Sequence, residues 1–315
     1  MPPLSIIIPV LDEADQIPHL ITHLFEASEV STIKGGSSND SGQTPHRKSH
    51  LSEAPENIAI AGSSSDENIQ MPQLKQHLSE TTEEIAVEGG ASNDSDQTPH
   101  RKPHLSDVPD LIAVDGGSTD ETLVLLSHSN IRVISAARGR SNQMNEGAAV
   151  ATGDVLLFLH ADTRLPPDYI EKLALFIRSG KPWGRFNVRF DDNHPMFRLI
   201  ASMMNWRSRL TGICTGDQAI FIRRSTFESL NGFADIPLFE DIDLCKRLKS
   251  QDWPFCIKSP VTTSGRRWRT HGFCKTILLM SWLRLLYFFG VSPEILSQIY
   301  YKPDQGITDQ APHSH

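Results

Sequence analysis

Three short apolar runs end in acidic residues. Residues 5–10 (Ser-Ile-Ile-Ile-Pro-Val) lead into Leu11-Asp12-Glu13, residues 111–114 into Asp115-Gly116-Gly117-Ser118-Thr119-Asp120, and residues 154–159 into His160-Ala161-Asp162. Continuous apolar runs bounded by polar turns suit parallel strands covered on both faces. In an open α/β sheet, ligands bind outside the carboxyl ends of such strands. Carboxylates at three neighbouring strand ends imply one cleft able to hold a base, a sugar hydroxyl and a divalent cation. Glu240-Asp241-Ile242-Asp243 adds an acidic cluster at the start of a helical pattern. Adjacent carboxylates raise one another's pKa, which suits a general base working near neutral pH.

The elements that must position these groups follow from periodicity. Residues 15–25 read as an amphipathic helix with Ile17, Leu20, Ile21 and Leu24 on one face. Residues 131–134 read as a third strand. Helices are expected over 141–151 and 166–179, the latter with Pro166 and Pro167 near its start. Strand and helix alternate up to this point, which predicts a βαβ half. Beyond Gly180 the order changes. Residues 186–190 alternate like a half-buried antiparallel strand; a helix over 196–210, a strand over 218–223 and a helix over 240–249 follow. Residues 276–289 are the most apolar stretch, too short to span a bilayer and interrupted by Arg284. They read as a helix packed on the domain, or as an interfacial helix with Trp282, Arg284 and Tyr287 at a headgroup boundary.

Taken in order, Ile7-Ile8-Pro9-Val10-Leu11-Asp12-Glu13, Val114-Asp115-Gly116-Gly117-Ser118-Thr119-Asp120, His160-Ala161-Asp162 and Glu240-Asp241-Ile242-Asp243 resemble the inverting family 2 glycosyltransferases with a GT-A fold. Residues 158–163, Thr215-Gly216-Asp217-Gln218-Ala219 and Ser264-Gly265-Arg266-Arg267-Trp268 resemble a bacterial subgroup labelled arsenosugar-biosynthesis glycosyltransferases. The resemblance covers residues 4–25 and about 111–300 and implies an α/β, Rossmann-like, mostly parallel sheet with helices on both faces. It implies a cytoplasmic enzyme that moves a sugar from a nucleotide-diphosphate donor, by default a UDP-hexose, to a small-molecule or lipid-linked acceptor.

It also implies roles, residue by residue. Asp241 is the expected base and Glu240 its acceptor-side or orienting neighbour. Asp162 is the expected ligand of a Mn2+ or Mg2+ ion, although His160 stands where relatives carry the first carboxylate of Asp-x-Asp. Asp115 is expected on the nucleobase and Glu13 nearer the ribose, with Pro9 and Leu11 as the apolar wall and His160 and Ala161 beside the metal ligand. Arg138, Arg140 and Asn145 belong to a basic loop-helix segment near the nucleotide. Asp217 is expected on the donor sugar or acceptor. Arg266 opens a diminished form of the Gln-x-x-Arg-Trp motif of processive relatives and is expected to close over the diphosphate. A nucleotidyltransferase, or a nucleotide-sugar-binding protein with an impaired site, is the competing reading; the former would want a Gly-rich, Lys-bearing loop after the first strand, where residues 9–13 stand instead.

The chain has 315 residues and a net charge of −8, which argues against nonspecific nucleic-acid binding. Cys214, Cys245, Cys256 and Cys274 have no zinc spacing and read as reduced, mostly buried thiols. Residues 1–4 lack the basic start of a signal peptide. Residues 31–111 form a tandem repeat of 27 residues, with copies beginning at Ser31, Ile58 and Ile85 and a fourth at Ile112. This stretch has no Phe, Trp or Tyr and holds 13 acidic against 6 basic residues, nearly all the net charge of the chain. Such composition cannot offset ordering entropy, so 31–108 is expected to be a disordered insertion in a single catalytic domain (1–30 with 109–300), and 301–315 a flexible tail. Only the fourth copy has Asp at the acidic position; the others have Lys34, Ala61 and Glu88. The fourth copy is therefore placed in the sheet. The pairs His46/His50 and His100/His104 sit among prolines and read as loop histidines. Peripheral membrane contact through 276–291 is expected.

Overall fold

A computed structural model describes residues 4–24 and 109–301, all within one compact unit. The repeat insertion, its histidines and the tail beyond Tyr301 lie outside the described residues.

The chain begins with strand β1 (Leu4–Val10), followed by helix α1 over 17–24. Next come β2 (Asp110–Asp115), α2 (Thr122–Ser127), β3 (Arg132–Ser135), α3 (Arg140–Val150), β4 (Val155–Phe158), the two-residue β5 (Thr163–Arg164) and α4 (Tyr169–Arg178). The second half holds β6 (Trp183–Phe190), α5 (Pro195–Thr211), β7 (Ile220–Arg223), α6 (Arg224–Ser229), α7 (Glu240–Lys249), β8 (Phe255–Thr263), α8 (Arg266–His271), α9 (Phe273–Phe288) and α10 (Pro293–Tyr300).

One sheet runs in the order β3-β2-β1-β4-β7-β6-β8-β5. Strands β3, β2, β1 and β4 are parallel, as expected of the βαβ half. The fourth repeat copy does occupy the sheet: Ile112 lies beside Ile7 and Val114 beside Pro9. The rest of the sheet is mixed. Strand β7 is antiparallel to β4 and β6, whereas β8 is parallel to β6 and antiparallel to β5. Six of the eight strands thus run in one direction, with β7 and β5 reversed, so the sheet is mostly parallel.

Both faces of the sheet are covered, for the reason that period-two alternation gives. Ile6, Ile8, Ala113 and Leu157 pack on one face with Ile17, Leu20 and Leu24 of α1 and Tyr169, Leu173 and Phe176 of α4. Ile7, Ile112, Val114, Leu156 and Phe158 pack on the other with Met144 and Ala148 of α3, Phe227 of α6 and Leu244 and Leu248 of α7. Gly147 makes this second contact close: a Cβ there would run into Ile7 Cγ2 and lie 2.9 Å from Val114 Cγ2.

Three expectations need correction. Strand β6 starts three residues before the alternating pattern does, and its first four residues are all buried, including Arg185. The sequence pattern fails there because Arg185 buries its charge by donating to the carbonyls of Phe186 and Asn205 and to the Asn187 side chain. The strand expected over 218–223 begins at Ile220, since Gly216–Gln218 forms a 3-10 turn ended by Ala219 at φ +45°. Only Cys214 and Cys245 are buried; Cys274 is exposed.

Candidate functional site

The loops after β1 and β2 are built as one unit. The Asp12 amide donates to Ser118 Oγ at 3.0 Å, and the Asp12 carboxylate accepts from the Thr119 amide at 2.8 Å. The Glu13 amide donates to Thr122 Oγ1 at 2.9 Å, and that of Ala14 to Asp120 at 3.0 Å. Asp115 is buried at the end of β2 and accepts from the Gly117 and Ser118 amides at 3.0 and 3.1 Å. Its carboxylate therefore shapes the glycine turn, with lone pairs left for a ligand. Gln143 of α3, which the sequence reading passed over, donates to both Val10 O and Val114 O at 2.7 Å. It ties the ends of β1 and β2 to the helix that begins with Arg140. A buried Gln in a helix with little amphipathic pattern gave no sequence signal.

Glu13 faces Arg266 at 3.4 Å. That contact spans most of the chain and brings the start of α8 over the β1 loop. Burial raises the Glu13 pKa, and the Arg266 charge opposes the rise. The turn holding Arg266 is itself fixed, since the Gly265 amide donates to Asp191 at 2.9 Å and Arg269 reaches Asp192 at 3.2 Å. Pro9 and Leu11 flank the same β1 end, half-buried. Arg138 is exposed on the approach to α3.

A cleft beyond the end of β4 is lined by Arg140, Phe158, His160, Gly216, Glu240 and Asp241. Arg140 lies 3.8 Å from Glu240, and His160 Nδ1 lies 3.3 Å from Asp217. Asp241 Oδ2 accepts from the Gly216 amide at 3.0 Å and Oδ1 from the Ile242 amide at 2.7 Å. The cluster thus joins the β4 end, the 216–218 turn and the first turn of α7. Glu240 is buried, and burial followed by the Asp241 charge raises its pKa, against Arg140. Ala161 is buried beneath the loop, and Asp162 leads into β5, where Thr163 Oγ1 bonds both Asp162 at 3.2 Å and Thr263 Oγ1 at 3.1 Å. Helix α4 starts only at Tyr169, so Asp162 caps no helix.

Backbone strain gathers here. Asp12 (φ +51°), Ala219 (+45°) and Phe239 (+70°) are three of four non-glycine residues in the left-handed region among the described residues. They flank Glu13, Asp217 and Glu240. Such conformations cost of order 1–3 kcal/mol and persist where the surroundings over-determine them.

Asn145 is the one expected site residue that the structure draws away. Its amide is paired with the Phe233 backbone, donating at 2.9 Å and accepting at 2.9 Å, and it lines a separate depression with Arg224, Phe227 and Gly232. It braces α3 against the loop before α7.

The family model described as Glycosyl transferase family 2 matches residues 105–229, which hold Asp115, Arg140, His160, Asp162 and Asp217. The matched segment is under half of the 315-residue chain. Glu240 and Asp241 lie beyond the matched segment. No curated protein matches the chain. Among solved structures, it is similar to a mannosyltransferase from Pyrobaculum calidifontis in complex with GDP-Man and Mn2+, at 14% identity over 84% of this chain and 56% of that one, with a TM-score of 0.47. It is also similar to S. aureus TarS 1-349, at 13% identity over 83% of this chain and 60% of that one, with a TM-score of 0.45. The chain thus spans under two thirds of either structure's length. Among the described residues the sequence reading missed Gln143 and Arg185, which are buried, and Arg207, which is half-buried.

Proposed function

We propose that the protein transfers a sugar from a nucleotide-diphosphate donor, a UDP-hexose by default, to an acceptor hydroxyl with inversion. The observation that supports this best is the cluster uniting Asp241, Glu240, Arg140, His160 and Asp217 at the strand ends, next to the tied β1 and β2 loops. In this reading Asp115 and Glu13 hold the nucleoside, with Pro9 and Leu11 as its wall. Arg266 and Arg140 face the diphosphate, for which planar guanidinium forks are suited. Asp241 takes the proton from the acceptor hydroxyl. The two backbone amides that bind Asp241 aim its carboxylate, while buried Glu240 stands beside it.

Among the described residues, no three His, Cys, Asp or Glu side chains converge as a metal-binding group. The residues fit a different arrangement. Asp162 has one hydrogen bond from a neighbouring hydroxyl, and a hard cation held by one carboxylate completes its shell with phosphate oxygens and water. Such an ion would neutralise charge on the departing diphosphate. His160 is held against Asp217, which suits a role in orienting that aspartate more than in ligation.

We further propose that the helical pair α9 and α10 touches an anionic bilayer surface. No helix among the described residues is long and apolar enough to cross a membrane. Leu278, Trp282, Leu285 and Phe289, spaced as one face of α9 and its end, are exposed, as are Ile295 and Ile299 of α10. Residues 264–275 hold Arg266, Arg267, Arg269 and Lys275 and no acid. Apolar rings and basic residues together suit a headgroup boundary.

The test is transfer from a panel of nucleotide sugars, with the anomeric configuration of the product read directly. An inverted product and dependence on manganese are expected. Asp162→Ala is expected to weaken UDP binding in manganese while leaving the melting temperature in place. Equal UDP affinity with manganese and with chelator would refute the metal role, and a retained configuration would refute the mechanism.

A further inference from the structure

Two arginines on the Asp241 side of the site hold buried donors without a hydrogen-bond partner among the described residues. Arg207 lies on α5 between Asn205 and Ser208. Ser208 Oγ accepts from Gln218 Nε2 at 3.0 Å, and Asn205 bonds both backbone groups of Val188 at 2.8 and 2.9 Å. Those bonds lock the helix to the turn that carries Asp217. Arg284 lies on α9 next to Leu283, which is fully buried against Leu238, Phe239 and Ile242, the residues flanking Glu240 and Asp241. Leu283 thus seats α9 against the segment that opens α7, and both Arg207 and Arg284 lie within electrostatic reach of Asp241.

Their donors are unmet. Nε and Nη2 of Arg207 and Nε of Arg284 are buried and have no hydrogen-bond partner among the described residues. An unpaired buried donor is costly, and more so when charged. The two cations also repel each other: burial and then the Arg207 charge push Arg284 down to about 10, against the pull of Asp241 and Asp217. Burial likewise lowers Arg207, against Asp241. Two mutually repelling guanidinium groups with unmet donors, within reach of Asp241, suit an added anion in both charge and hydrogen bonding.

We infer that Arg207 and Arg284 form an oxyanion site for a phosphoryl group carried by the acceptor. A phosphate monoester supplies two negative charges and three free oxygens, enough to meet the three orphaned donors in the fork geometry that guanidinium favours. The Glu13, Asp115 and Arg266 side is left to the nucleotide. The inference deepens the transferase reading, and rests on it for the word acceptor. The phosphoryl group has two sources, a free small molecule or a lipid headgroup, since Arg284 shares its helix with the exposed Leu278, Trp282 and Leu285.

The experiment is calorimetric titration of inorganic phosphate, then of glycerol phosphate, into the full chain saturated with UDP and magnesium. Arg207→Gln and Arg284→Gln are compared with wild type, and Arg284→Lys serves as the charge-conserving control. Phosphate is expected to bind alongside UDP and to weaken about 10- to 100-fold in either Gln variant, the loss for a charge-assisted pair. UDP affinity is expected to hold, and Arg284→Lys to recover part of the loss. Without phosphate, Arg284→Gln is expected to melt no lower than wild type, because a buried like-charge contact is gone; phosphate should then raise the melting point of wild type alone. A parallel arm measures sedimentation with phosphatidylcholine vesicles containing phosphatidic acid. Loss in Arg284→Gln there, with no glycerol phosphate binding, assigns the site to a lipid phosphate; the converse assigns it to a soluble one. Equal phosphate affinity in all variants, or phosphate displaced by UDP, overturns the inference. If UDP fails to bind but phosphate binds through both arginines, the donor reading falls and the anion site stands.

Discussion

At the scale of single residues, the site separates two carboxylates by environment. Asp241 accepts two backbone amides, whereas Glu240 is buried beside it with Arg140 at 3.8 Å. Replacing Asp241 with Asn keeps shape but removes the proposed proton acceptor. General-base catalysis typically supplies about 10²–10⁴-fold, so transfer is expected to fall on that scale while donor affinity holds. Near-normal turnover would move the role to Glu240 or Asp217. Glu240 carries a second expectation. Its folded pKa is raised above the ordinary 4.5, so its protonated form favours the folded state. That contribution is full below the ordinary value and is lost as pH rises through the raised one. Glu240→Gln is therefore expected to flatten the decline in melting temperature from acid to neutral pH. An identical pH profile in the variant would show that Glu240 ionises in the fold without penalty.

Among elements, α3 is the part most tightly constrained. It presents Arg140 at one end, Gln143 to the ends of β1 and β2, and Gly147 against Ile7 and Val114. A methyl group at 147 has no room to enter without shifting the helix or the strands. Overpacking of this kind costs about 1–3 kcal/mol, so Gly147→Ala is expected to lower stability by that amount in denaturant melts. Because the displaced helix carries Arg140, donor affinity is expected to fall with it. A variant as stable as wild type would mean that α3 rides further from the sheet than the side-chain contacts indicate. The left-handed residues at 12, 219 and 239 belong to this scale too. Ala219 and Phe239 cap elements and Asp12 lies in the loop after β1, which places strain where the chain must turn at the site.

For the whole molecule, every side chain assigned to the site lies outside 31–108. We propose that this repeat is an insertion in a single catalytic domain, on its composition and internal copies. A chain lacking 31–108, with Asp110–Asp115 kept whole, is expected to bind UDP as the full chain does. Loss of UDP binding in a folded deletion variant would give the repeat a role in the site. The proposed membrane contact also belongs to this scale, since Leu283 and Leu296 are buried while Leu278, Trp282 and Phe289 are exposed.

The sequence alone determined what local rules govern. Apolar runs 5–10, 111–114 and 154–159, bounded by polar turns, pointed to covered strands, and α7 began where Glu240-Asp241 opened a helical pattern. The repeat copy that enters the sheet was legible because Asp115 stands in only one of four copies. The tertiary structure decided what depends on contacts between distant segments. The mixed half of the sheet, with β8 slotted between β6 and β5, has no periodic signature. The Arg266–Glu13 contact, the pairing of Asn145 with the Phe233 backbone, the burial of Arg185 and Gln143 and the half-burial of Arg207 and Arg284 are likewise absent from any local pattern. Long polar side chains read as surface in a sequence, because burying them is unfavourable unless partners converge. Only the folded chain shows where those partners meet, and where, at Arg207 and Arg284, they do not.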